Sequence, residues 1–198
     1  LSLFGAGLAV AAAAPAHADM TLTSIKRAYF RYVPRIESGR DLFVLKLRDA
    51  LEKEDWAATE AIFTKVSAAQ EDSTKAALGL DIKVSAIETE LLVPMQVWTT
   101  SFAEKGTSPK QRKMDAKLAA LRESLEGVRA AAAEGDKAKA IEAWNAGRAS
   151  LNSYIKTANK GLTLQVAKLD TIPEDWKTYE KSKERPQSSF TDSGGWIQ

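Results

Sequence analysis

Apolar residues recur every three or four positions along most of the chain, a spacing that places them on one face of an α-helix. The first such stretch runs from Thr21 to Lys53. Its apolar positions are Ile25, Tyr29, Val33, Ile36, Phe43, Leu47, Ala50 and Leu51. Because Pro34 and the pair Ser38-Gly39 lie within this stretch, we expect the first helix to kink or break there.

A second helix is predicted over residues 55–69. Asp55 is its expected N-cap, since a carboxylate can accept hydrogen bonds from the free N–H groups of the first turn. The residues expected to face inward are Trp56, Ile62, Phe63 and Val66. The polar residues from Gln70 to Ser73 interrupt the pattern.

The helical signal is strongest from Thr74 to Glu104, where apolar residues form a heptad-like seam typical of a bundle helix. The seam consists of Val84, Ile87, Leu91, Met95, Trp98 and Phe102. We expect Pro94 to bend this helix and Gly106 to end it.

Two further helices are predicted over residues 108–133 and 136–161. Ser108 should cap the first of them, with Pro109 in its first turn and Gln111 completing a capping box. Gly135 and Asp136 form the turn between them, and Gly161 ends the second. Their inward residues are Met114, Leu118, Leu121, Leu125, Val128, Ile141, Trp144, Leu151 and Ile155. The tryptophans expected in the core are Trp56, Trp98 and Trp144.

The helical spacing of apolar residues becomes less regular after Gly161. Residues 162–198 contain two prolines and a Gly-Gly pair among polar residues, which indicates an arm outside the core. The aromatic residues in it are Trp176, Tyr179, Phe190 and Trp196. Trp176 and Trp196 are expected to dock either on the helices or on a partner. No strand is predicted.

The predicted fold is therefore all-α: an up-down-up-down four-helix bundle over residues 19–161, with an irregular C-terminal arm over residues 162–198. A weak similarity between residues 50–63 and 131–144 leaves a helical repeat of the tetratricopeptide kind as an alternative. Two copies 81 residues apart do not match that repeat period, and helical hairpins often share the same turn chemistry.

Residues 1–18 have the features of an export leader. Residues 1–16 are small or apolar and carry no charge, and Ala16-His17-Ala18 matches the small-residue cleavage signal. This run is too short for a comfortable transmembrane helix. We expect a mature protein that begins at Asp19, and a buried N-terminal helix is the alternative.

The amino-acid composition excludes several kinds of active site and metal site. The chain has no cysteine, which excludes disulfides and thiolate zinc sites. Its single histidine, His17, lies in the leader, so the processed protein would lack a histidine base and the Glu-x-x-His motif of a di-iron bundle. The carboxylates Glu52, Glu54, Asp55, Glu88 and Glu90 are expected in turns or on the surface. We expect no enzyme, cofactor or bound metal, with a carboxylate-metal enzyme as a distant alternative.

The net charge of +2 is too small to indicate nucleic-acid binding, but the cations cluster locally. The first cluster is Lys26, Arg27, Arg31 and Arg35, in a stretch without an acid, and the second is Lys110, Arg112, Lys113 and Lys117. Both lie near predicted helix starts, where the helix dipole disfavours positive charge. We predict that they bind an acidic partner surface. A solvated helix face is the alternative.

Two stretches carry a family resemblance. Behind the leader comes SIKRAYFRYVPRIESGRDLF (24–43), and the last predicted helix reads WNAGRASLNSYIKTANKGL (144–162). Together with the leader and the predicted bundle architecture, these stretches make residues 19–165 resemble the extrinsic, lumenal four-helix subunits of photosystem II. They are most similar to the diatom-type extrinsic subunit and more distantly similar to PsbQ-like proteins.

This resemblance implies a non-catalytic accessory subunit, peripheral to the membrane in the chloroplast thylakoid lumen. It would bind the photosystem II core and other extrinsic subunits largely through charge. There it would help to retain the calcium and chloride needed for oxygen evolution, without binding these ions itself. The alternative is a lumenal or bacterial periplasmic helical scaffold that binds another soluble protein.

Overall fold

The computed structural model describes residues 22–67, 83–103, 107–162 and 168–179. Most of these residues are helical, which confirms the predicted all-α class. The predictions made for the leader, for residues 70–73, for Gly106, and for Phe190 and Trp196 lie outside the described residues.

The first helix is continuous but not uniform. It consists of α1 (Leu22–Asp41), a π-helical segment π1 (Leu42–Leu47) and α2 (Arg48–Lys53). Of the predicted kink or break at Pro34 or Ser38-Gly39, the break does not occur, because α1 continues through these residues. Pro34 is exposed, so water can satisfy the carbonyl that loses its N–H partner.

Gly39 is buried because another helix crosses it, not because it breaks α1. A Cβ atom at this position would lie 2.6 Å from the Cα of Leu91 and would also clash with the carbonyl group of Glu90. Glycine therefore permits a backbone-to-backbone approach that no other residue allows. This contact fixes where α1 meets the third predicted helix.

The second helix is shorter than predicted. α3 (Trp56–Phe63) begins at the predicted cap, where Asp55 Oδ1 accepts from the N–H of Ala58 at 2.9 Å. The chain then extends into β1 (Val66–Ser67), which pairs antiparallel with β2 (Lys83–Val84). The expectation of no strand is thus wrong. Val66 is 62% exposed rather than inward, because its backbone pairs with Val84 outside the helical core.

The seam helix begins later than predicted, so Val84 belongs to a strand. Its described part consists of a short helical start at Ala86, a π-helical segment π2 (Glu88–Leu92) and α4 (Val93–Thr100). Ser85 and Glu88 form a reciprocal capping box before it: Ser85 N–H donates to Glu88 Oε2 at 2.9 Å, and Glu88 N–H donates to Ser85 Oγ at 3.3 Å. Seam residues Ile87, Leu91, Met95 and Trp98 are buried, as predicted.

Two long, regular helices follow, α5 (Pro109–Ala133) and α6 (Lys137–Asn159). Both predicted caps are confirmed, with Ser108 Oγ accepting from Gln111 N–H and Asp136 Oδ1 accepting from Lys139 N–H, each at 3.0 Å. The turn between them uses Gly135 at φ +70°, as predicted. The reciprocal half of the Ser108 capping box is absent, because the buried Oε1 of Gln111 accepts no hydrogen bond.

The helices meet in one core. α1 contacts π2 and α4, α4 contacts α5, α5 packs along α6, and α6 contacts α2. Phe43 of π1 stacks on Trp144 of α6 at 5.1 Å between centroids, and Trp144 Nε1 donates to the Phe43 carbonyl at 3.0 Å. The fully buried Trp98 and Trp144 confirm two of the three core tryptophans, whereas Trp56 is half-buried.

Residues 168–179, which we term the C-terminal strap, correct the prediction of an arm outside the core. Leu169, Ile172 and Tyr179 are buried, and Trp176 packs partly against the core. The strap is held by side-chain amides of α6. Asn159 exchanges two hydrogen bonds with the backbone of Leu169, and Asn152 does the same with Ile172. Apolar residues this widely spaced, in a segment with only one short helical turn, give no periodic signal, which is why the sequence pattern misses this docking.

Candidate docking site

The first cationic cluster lies on the solvent side of α1. Arg27, Arg31 and Arg35, hereafter the arginine row, are all exposed, and Lys26 is half-exposed. The apolar side of the same helix turns inward, with Val33 at 2% and Ile36 at 0% exposure. The sequence period thus separates a packed face from a charged one.

The arginine row has no carboxylate partner among the described residues. Positions three and four residues away from each arginine hold another arginine or an uncharged residue, so no helical ion pair can form. Arg31 instead lies 5.7 Å from the ring centroid of Tyr32. Three like charges at four-residue spacing repel one another weakly, and an external carboxylate would relieve that repulsion.

The second cluster does not act as a unit in the folded chain. Lys110 is half-buried: its Nζ donates to the carbonyls of Ala158 at 2.8 Å and Lys160 at 2.7 Å, and lies 3.9 Å from the Phe102 ring centroid. Burial lowers the pKa of Lys110 to about 8. Its ammonium therefore caps the C-terminal end of α6, where the helix dipole favours a cation.

The remaining cations of that cluster are exposed. Arg112 donates to the Thr107 carbonyl at 3.3 Å, and Lys113 and Lys117 point to solvent. An aromatic chain connects this end of α5 to the arginine row: Phe102 contacts Trp98 at 5.1 Å, and Trp98 contacts Tyr29 at 5.7 Å between centroids. The two clusters therefore share one end of the molecule.

Sequence reasoning missed a buried polar cluster at the C-terminal end of α1. Arg40 is 3% exposed, and its Nε donates to Tyr179 Oη at 2.8 Å while its Nη1 donates to the Asp170 carbonyl at 2.7 Å. Tyr179 in turn donates to Asp41. Burial raises the pKa of Tyr179, so its hydroxyl stays protonated and can make both bonds. These hydrogen bonds hold the strap against α1, and they occupy the guanidinium group of Arg40.

Arg48 is a second buried arginine that the apolar pattern does not predict. It is 9% exposed, donates from Nη2 to Glu52 at 2.6 Å and stacks 4.8 Å from the Trp144 ring centroid. The one sequence signal for it is Glu52, four residues after Arg48, because an acid and a base at that spacing can pair on a helix. Arg40 and Arg48 are structural, so the exposed arginines are those of the arginine row and a few isolated positions.

An open cleft of about 890 Å³ lies between α3 and the turn from α5 to α6. Its walls are Trp56, Glu60, Glu126, Arg129, Ala130, Ala132, Ala133, Glu134 and Gly135. Arg129 and Glu60 form an ion pair across it at 3.7 Å. The half-buried Trp56 owes its exposure to this cleft, which corrects its predicted place in the core.

Within the described ranges, no three His, Cys, Asp or Glu side chains come together to hold a metal ion. Of the helices that the structure describes, none is long and apolar enough to cross a bilayer. Comparisons with protein-family models, curated proteins and solved structures found no significant match. The resemblance to extrinsic photosystem II subunits therefore stays a prediction.

Proposed function

We propose that the protein is a non-catalytic accessory subunit that docks on the lumenal face of photosystem II through the arginine row. There it supports oxygen evolution by helping to retain calcium and chloride. The observation that carries the proposal is an exposed row of three arginines without a carboxylate partner in the described chain. Arginine suits docking on an acidic protein because its planar guanidinium binds a carboxylate with two parallel hydrogen bonds.

The proposed scaffold for this row is an up-down-up-down four-helix bundle. Its members are the first helix (α1 to α2), the seam helix (π2 and α4), α5 and α6. The contacts support this arrangement, because they run from the first helix to α4, to α5, to α6 and back to α2. Such a closed set of neighbours is what four antiparallel helices in sequence order produce.

Exposed residues near α5 extend the proposed surface. Arg112, Lys113 and Lys117 lie at the same end of the molecule as the arginine row, linked through the Phe102–Trp98–Tyr29 contacts. Lys110 contributes indirectly, since its ammonium holds the ends of α5 and α6 together.

A scaffold that bridges two soluble proteins is the second candidate, and the Trp56-lined cleft favours it. The first helix rises about 1.5 Å per residue, so this cleft at its far end lies about 30 Å from Arg31. Two separate surfaces of different chemistry are typical of an adaptor. Docking to photosystem II needs only one of them.

The test is rebinding of purified protein to salt-washed photosystem II membranes, with oxygen evolution measured in parallel. Arg27→Glu/Arg35→Glu should reduce rebinding about tenfold or more at low salt, because two attractive contacts become repulsive. Helical content and Tm should stay nearly unchanged, since exposed charges contribute little to stability. The difference from wild type should shrink as salt screens the charges.

The matched control is Lys46→Glu/Arg122→Glu, which makes the same change in net charge at two exposed positions on π1 and α5, away from the end that carries both clusters. It should rebind like wild type. Equal rebinding of the Arg27/Arg35 variant across the salt series would show that the arginine row is a solvated face. Rebinding that fails only when Lys113 and Lys117 are reversed would move the docking surface to α5.

A further inference from the structure

The exposed face of α1 is not purely charged. Exposed residues recur along it at helical spacing: Arg27, Phe30, Arg31, Pro34, Arg35 and Ser38. Phe30 is 70% exposed, the most exposed large apolar side chain among the described residues. It lies three residues after Arg27, a spacing at which side chains are neighbours on a helix surface, so the Arg27 guanidinium borders it.

Phe30 contacts the ring of its neighbour in the chain. Its ring meets Tyr29 edge-on at 5.5 Å between centroids and 87° between planes. Tyr29 is itself anchored edge-on against Trp98, which is fully buried. An aromatic side chain ordered before binding loses less conformational entropy when a partner covers it. The fold therefore presents Phe30 to solvent as a preformed anchor.

We infer that the arginine row and Phe30 form one composite site for a protein surface that has an apolar pocket rimmed by carboxylates. This inference rests on the proposed docking function and specifies the chemistry of the partner. Phe30 would fill the pocket, and the arginines would pair with the carboxylates around it. Aromatic and arginine side chains are the residue types that most often dominate the affinity of protein interfaces.

A protein fits this site better than a lipid surface does. A helix that lies in a membrane interface buries a broad apolar face among the lipids. In α1 that broad face, including Val33 and Ile36, is already packed in the core. Among the described side chains of α1, Phe30 is the one large apolar residue that projects from the charged side, which matches a single pocket rather than an apolar layer.

The experiment uses two synthetic helix-hairpin peptides with the same glutamate positions. In the leucine peptide, leucines line an apolar pocket between the two helices, and in the serine peptide, serines replace them. Wild type should bind the leucine peptide about tenfold more tightly than the serine peptide. Phe30→Ser should abolish this preference. Val66→Ser, at another exposed large apolar residue far along the chain, should keep it. Circular dichroism checks that all three proteins fold alike.

Wild type without a preference, or Phe30→Ser with an unchanged preference, would overturn the inference. Binding of wild type to anionic phospholipid vesicles that disappears in Phe30→Ser, without a peptide preference, would replace the protein partner by a membrane. Self-association that disappears in Phe30→Ser would replace it by a second copy.

Salt-washed photosystem II separates this inference from the proposed function. If wild type rebinds and Phe30→Ser rebinds equally well at all salt concentrations, the composite site is wrong and charge docking stands. If wild type does not rebind to photosystem II but prefers the leucine peptide, the site stands and the proposed partner is wrong. A Phe30→Ser defect should persist at high salt, because burial of an apolar ring is not screened.

Discussion

The α5–α6 hairpin and the crossing of α1 with the seam helix build the same core by different means. The hairpin consists of two uninterrupted α-helices with a side-chain cap at each start and a left-handed glycine between them. The crossing contains both π-helical segments, two prolines and a glycine pressed against a backbone. Local signals specify the first region, whereas contacts distant in sequence specify the second.

This difference has a physical cause. Neighbouring antiparallel helices joined by a short turn can pack from their own apolar periods. In the crossing, Pro94 removes an N–H from the helix, and Gly39 must admit the carbonyl group of Glu90. Only the folded arrangement determines where these irregular turns fall. A single substitution should therefore destabilise the α5–α6 hairpin less than it destabilises the crossing of α1 with the seam helix.

Removing the central aromatic residue of the crossing should have the largest effect. Trp98 is fully buried and touches both Tyr29 and Phe102. Trp98→Ala should lower the free energy of unfolding by about 3–5 kcal/mol, the usual loss for a large buried aromatic. Hydrogen exchange should show the greatest loss of protection in α1 and α4, and less in the hairpin. Equal losses in both regions would mean that they unfold as one unit and that the comparison fails.

Adding one methyl group at the crossing should have the next largest effect. Gly39→Ala places a Cβ against the backbone of π2, which has no flexible end to move aside. We expect a loss of about 2–3 kcal/mol, measured by urea unfolding. The control Gly127→Ala meets only the Cβ of Ala143 at 3.3 Å, and helix propensity should make it neutral or stabilising by up to about 1 kcal/mol. Losses of the same size at both sites would contradict the close approach at Gly39.

The smallest effect concerns Lys110, which joins the two regions by capping α6 and covering Phe102. Burial lowers the pKa of Lys110 to about 8 from the ordinary 10.5, so the unfolded chain holds this proton more tightly. Wild-type stability should therefore rise relative to Lys110→Met as pH increases from 8 to 10.5. Unfolding curves of both proteins across that window measure this difference. A constant difference would show that the folded ammonium is not destabilised by burial.

The local features that the sequence predicts correctly lie mainly in the α5–α6 hairpin. Ser108, Asp136 and Gly135 are local signals, and each is found where the pattern placed it. The strand pair was missed because Val66 and Val84 are far apart in sequence and flank a helical pattern. The π-helical segments were not predicted, because the sequence of a segment such as Leu42–Leu47 also fits a regular α-helix.

The exposed arginines of the candidate site could be predicted from the sequence, but the burial of Lys110 and the exposure of Phe30 could not. Three exposed arginines at four-residue spacing could be read from the sequence, since no acid stood near them. The burial of Lys110 could not, because it depends on the end of α6 lying beside the start of α5. The exposure of Phe30 was also hidden, because an aromatic residue on a helix is usually assigned to the core.

The segment π1 sets the direction in which the arginine row faces. A π-helical turn accommodates one residue more than an α-helical turn, so deletion of a single residue between Leu42 and Leu47 would let the helix revert to regular geometry. Everything before the deletion would then rotate by about 100° relative to everything after it. That rotation would turn Gly39 away from the backbone of π2 and Val33 away from the core. The extra residue in π1 thus keeps the packed side of α1 inward and its arginines toward solvent.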